Sequence, residues 1–171
     1  PGVCIALSIG LLLRAGEPGV RSASTLLGGS GADRAFAAAV DADGNVYIAA
    51  ATGSTDLLLH LGWDPPQPTG GEDVVVVKLS ADLGEVLAVA MLGGTGDDFP
   101  VALHWQAGGG LILAGWCTGD FPTTADALQP VTAGGKDAFV AVLDPAVLDL
   151  EYATLFGGTG DLLRAFLHFD C

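Results

Sequence analysis

Apolar residues in this chain come in runs of five to seven, divided by clusters of Gly, Asp, Asn, Ser and Thr. Such runs, bounded by turn formers and rich in β-branched residues, predict strands. The first clear set is Ala35–Val40, Val46–Ala51, Val74–Leu79 and Val86–Leu92. Asp41-Ala-Asp-Gly-Asn45 separates the first two, a turn in which Asp and Asn bond the local backbone and Gly44 permits positive φ. A long loop rich in Gly, Pro, Thr and Asp, from Thr52 to Asp73, separates the second and third. Four consecutive valines, Val74–Val77, open the third strand.

The same set then recurs. Ser24–Gly31, Ala90–Gly96 and Ala153–Gly160 are three versions of one phrase, with first glycines Gly28, Gly93 and Gly157 spaced by 65 and 64 residues. Between them Val46–Ala50 matches Leu111–Gly115, Gly53–Asp56 matches Thr118–Asp120, and Gly70–Val77 matches Gly134–Ala141. Four hairpin-linked strands per repeat are the unit of a β-propeller blade. The expectation is therefore an all-β, β-propeller-like array of four-stranded antiparallel blades, about three blades' worth per chain, in permuted order. Residues 1–27 would form a partial first blade, 28–92 the second, 93–156 the third, and 157–171 a terminal strand completing a neighbouring blade. In this reading Val3–Ser8 is a second strand, Gly10–Leu13 a third and Val20–Leu27 a fourth, while Ala165–Phe169 is a first.

Composition narrows the function classes. Twenty acidic residues against six basic give a formal charge of −14, which argues against nucleic acid and anionic lipid as partners, since both need clustered Lys or Arg. No apolar run is long enough for a membrane-spanning helix. Val3–Leu13 has the length of a signal-peptide core, but a structural strand is favoured. The chain starts at Pro1 without Met, so it reads as processed or as a fragment. Cys4, Cys117 and Cys171 show no metal-ligand spacing, and an odd count leaves at least one thiol free or paired outside the chain.

Leu27–Gly31, Val40–Tyr47, Thr118–Thr124 and Lys136–Ala141, in that order, resemble bacterial SBBP-type β-propeller repeats. The resemblance spans nearly everything from Ser24 to Asp170. It implies a secreted or cell-surface protein, long and multi-domain, with no catalytic residues to carry over. The Asp-Asp that usually follows the glycines survives only at Asp97-Asp98, which argues against a shared ion site in every blade.

Few residues carry candidate chemistry. Asp41, Asp43 and Asn45 look like half a calcium loop, but the later bidentate acid is missing, so a hairpin turn is the simpler reading. Asp97 and Asp98, with Asp56 and Asp120 on other loops, could cage a hard cation; calcium is the one cofactor left open. His104 and His168 occupy equivalent positions and do not suffice for zinc. Trp63, beside Pro65-Pro66, is the one credible surface aromatic for a glycan; Trp105 and Trp116 fall on strands and read as core. No nucleophile–base pair is legible, so no catalytic residue, cofactor or enzyme activity is expected. The leading expectation is an extracellular structural or assembly protein that self-associates into a ring or filament, or continues into further repeats. A glycan- or protein-binding module is the alternative. Contact between copies would run through Val3, Cys4 and Ile5 on one side and Phe166, His168 and Cys171 on the other, where a Cys4–Cys171 disulfide would suit an oxidising setting.

Overall fold

A computed structural model describes residues 5–11, 21–57, 62–63, 70–108 and 110–161, with backbone alone for 5–11 and 21–23. The ten elements among them are all strands: β1 (Ile5–Leu11), β2 (Arg21–Leu27), β3 (Asp33–Val40), β4 (Val46–Thr52), β5 (Asp73–Leu79), β6 (Val86–Leu92), β7 (Asp98–Trp105), β8 (Leu111–Thr118), β9 (Lys136–Leu143) and β10 (Leu150–Phe156). They form three antiparallel sheets: β1-β2, a middle sheet β3-β4-β5-β6 and a last sheet β7-β8-β9-β10. The protein is thus all-β with two four-stranded antiparallel sheets, as the repeat predicts.

The two four-stranded sheets are the same unit twice, down to their irregularities. Each first strand carries a bulge at the same repeat position, Phe36 between Ala35 and Ala37, and Val101 between Pro100 and Ala102. Gly28, Gly93 and Gly157 each follow directly on the last strand of a sheet. Successive side chains on a strand point to opposite faces, and in the middle sheet both faces are covered. Tyr47, Ala49, Val74, Val76, Ala88 and Leu92 pack forward onto Leu103, Leu111, Leu113, Phe139 and Ala141 of the last sheet. Val46, Ile48, Ala50, Val75, Val77 and Leu79 form a second cluster, with Leu27 of β2, on the opposite face. Burial on both faces explains why β4 and β5 read as nearly unbroken apolar runs rather than alternating ones. Strand β7 lies against β3, β4 and β5.

The first sheet departs from the expected order. Ile5–Leu11 is one continuous strand across Gly10, not a second strand ending at Ser8 followed by a third. Its register pairs Ile5 with Leu27, as Val74 pairs with Leu92, so β1 holds the third-strand position. Val3, Cys4, Phe166, His168 and Cys171 lie outside the described residues, and the proposed Cys4–Cys171 contact lies there with them.

Candidate functional site

The chemistry that distinguishes this molecule lies where the sheets meet, at the starts of their strands. Register places Asp33 opposite Thr52 and Thr52 opposite Asp73 in the middle sheet. In the last sheet it places Asp98 opposite Cys117 and Cys117 opposite Asp137. The four aspartates are 0–1% exposed. A buried carboxylate needs donors, and Asp33 has them: Thr52 Oγ1 donates to its Oδ1 at 2.5 Å, Ser54 Oγ to Oδ2 at 2.8 Å, and Gly29 N–H to Oδ2 at 2.8 Å.

At Asp98 the repeat keeps the acid and loses the hydroxyls. Thr52 is replaced by Cys117 and Ser54 by Gly119. Gly94 N–H still donates to Asp98 Oδ2 at 3.0 Å, but Asp98 Oδ1 and both oxygens of Asp73 accept from no N–H or hydroxyl donor. The two carboxyl groups belong one to each sheet, at the place where Asp98 N–H donates to Glu72 O at 2.7 Å. Burial pushes Asp73 up to about 6, with Asp97 and Asp120 adding repulsion. Burial likewise pushes Asp98 up to about 7, reinforced by the charge of Asp73. The Cys117 thiol beside them is fully buried and is pushed up to about 12 by burial and by Asp98 and Asp137.

The other loop acids act as turn clamps. Asp56 accepts from Ser30 N–H at 2.7 Å and Ser30 Oγ at 3.0 Å. Asp120 does the same for the amide and hydroxyl of Thr95, which hold its carboxyl below the usual range. Each clamp ties the Gly-Gly-Ser/Thr-Gly turn that leaves one sheet to the loop of the next. Exposed Asp97 accepts from Glu72 N–H at 3.2 Å, while its neighbour Asp98 is buried; the two adjacent candidates thus part company. Among the described residues, no group of three or more His, Cys, Asp or Glu side chains comes together as a metal site.

At the other end of the same sheet junction sits a polar knot that the sequence did not announce. Tyr47, fully buried, donates its hydroxyl to Pro145 O at 2.8 Å and to Asp41 Oδ2 at 3.1 Å. Lys78 Nζ donates to the same carbonyl at 2.9 Å. Asp41 also organises its own hairpin, accepting from the amides of Asp43 and Asn45. This is the turn role expected for the segment that resembled half a calcium loop.

The aromatic candidates resolve differently from the expectation. Trp63 is not a free surface platform; it is half-buried and packs against the rear cluster of the middle sheet. Trp105 packs against the forward cluster, as expected for a core residue. Trp116 stacks on Phe99 at 4.5 Å between centroids and carries Lys136 Nζ at 3.4 Å from its ring centre. His104 lies opposite Ile112; His168 is outside the described residues.

A scan of protein-family models finds none that matches this sequence, and a search of curated proteins finds no match either.

Proposed function

We propose that the chain is a non-enzymatic, extracellular structural module of SBBP-type β-propeller-like repeats, which associates with further copies of the same sheet. One observation carries the reading: among the described residues, nothing covers the face of the last sheet that its twin, the middle sheet, buries. Leu92 is 6% exposed and its equivalent Phe156 is 72% exposed. Tyr47 and Val76 are fully buried, whereas their equivalents Ile112 and Val140 are only half-buried. The polar knot is also gone from this face, since Lys78 gives way to Val142. A chain with twenty acids places none at Ile112, Ala114, Trp116, Val140, Val142 or Phe156. Lys136, seated over Trp116, is a cation on this face; the remaining apolar surface has the composition of an interface core.

Sheet stacking through that face fits the structure better than the strand pairing expected from the termini, because β1 stands in third-strand register. A ring and a filament both follow from such heterologous stacking, depending on whether the rotation closes. The glycan-binding alternative draws less support, as Trp63 is half-buried against the middle sheet and Trp116 stacks on Phe99 and carries Lys136. The test is Phe156→Glu, at an exposed position where the fold tolerates a charge. Light scattering after gel filtration is expected to show assemblies of the wild-type chain and a lower mass for the variant. Equal masses for the two proteins would contradict this use of the face.

A further inference from the structure

We propose that Asp73 and Asp98 form a proton-dependent latch between the middle and last sheets, closed while at least one proton is held by the two carboxyls and opened when both ionise. The inference is independent of how the module associates. Three observations carry it. Both side chains are 0–1% exposed. Three of their four oxygens accept nothing from an N–H or hydroxyl. The carboxyls come from different sheets at the point where the backbones join, Asp98 N–H donating to Glu72 O at 2.7 Å, and each raises the cost of ionising the other.

Among the described residues, the charges that act on the pair are acidic. Asp97 and Asp120, on the turn and loop of the last repeat, act on the pair by repulsion, and Asp98 and Asp137 flank Cys117 across the sheet. The described cations are engaged elsewhere: Arg34 with Glu72, Lys78 with Pro145 O and Asp41, Lys136 over Trp116. Two carboxylates so placed cannot both ionise without a large penalty, which a held proton relieves. Asp33 is the internal comparison, because the same repeat position there has the Thr52 and Ser54 hydroxyls as donors. The next copy does not renew the pair, since Leu162 stands at the position equivalent to Asp98.

The sign follows from linkage. Both groups have folded-state pKa values, about 6 and about 7, above the unfolded carboxyl range. Between the unfolded range and neutrality the folded state therefore holds more protons than the unfolded state, and stability falls as pH rises. The contribution is fully present below about pH 4 and is lost as pH passes through about 6 to 7.

The experiment compares urea unfolding of the wild-type chain, Asp98→Asn and Asp73→Asn at about pH 5 and about pH 8. The wild-type unfolding constant is expected to rise at least about tenfold more over that interval than that of either variant, whose amide supplies the missing donor without titrating. Parallel pH profiles for all three proteins would overturn the latch. Should a variant fail to fold, carboxyl carbon NMR of the wild-type chain decides directly. Two aspartates titrating near neutrality support the latch, and the absence of any such step refutes it. Stabilisation by millimolar calcium at the higher pH, abolished in Asp98→Asn, would replace the proton with a cation and overturn the proposal as well.

Discussion

Single residues set how closely the sheets approach. Gly96 sits where a Cβ would lie 1.5 Å from Thr118 O, a backbone atom that cannot swing aside. Gly96→Ala is therefore expected to cost about 3 kcal/mol or more, since overpacking against rigid neighbours is costly; chemical denaturation measures it, and an unchanged midpoint would contradict the close approach. Cys117 marks the other side of the same junction. Replacing it by Thr restores the hydroxyl that serves Asp33, giving Asp98 a donor. Cys117→Thr is expected to stabilise the protein by about 1–2 kcal/mol at about pH 8 and much less in acid. A gain independent of pH would point to packing rather than to hydrogen bonding. Tyr47→Phe removes a hydroxyl donated to both Pro145 O and Asp41 and is expected to destabilise by about 1–3 kcal/mol, read from the thermal midpoint.

At the scale of strands and sheets, most of the fold was legible because the chain spells it twice. Val86–Leu92 coincides with β6, and Ala35–Val40 and Val74–Leu79 fall one or two residues short of β3 and β5. The missing residues are Asp33, Arg34 and Asp73, and pattern reading assigns the two aspartates to turns. They begin strands because the ladder gives their backbones partners, Thr52 in both cases. The first sheet was misread because Gly10 looks like a break, yet a strand tolerates a glycine where its backbone is paired, here with Ser22. The acid pair was only half legible. Asp98 stood out beside Asp97, but its coupling to Asp73 spans two sheets and has no signature in local spacing. The signal that was available lay in the repeat itself, where Thr52 and Ser54 change to Cys117 and Gly119 beneath an unchanged aspartate. Trp63 was misplaced for a similar reason, since a tryptophan near prolines reads as a loop tip until a cluster is found for it to cover.

For the whole molecule, the layered arrangement separates what is complete from what is open. The middle sheet is covered on both faces, and its strand β4 is buried along its whole length. The last sheet is covered by described strands on its inner face, and its outer face carries Phe156 and Trp116 without an acid. Repeat proteins depend on neighbours to bury such faces, and this one has an outward surface matched in position to one it already buries. The central claim is that this surface makes the chain an assembling module. Sedimentation velocity of the wild-type protein over a concentration series tests it most directly. The account predicts species at multiples of the 17.1 kDa chain that grow with concentration; a single 17.1 kDa species at every concentration would contradict it.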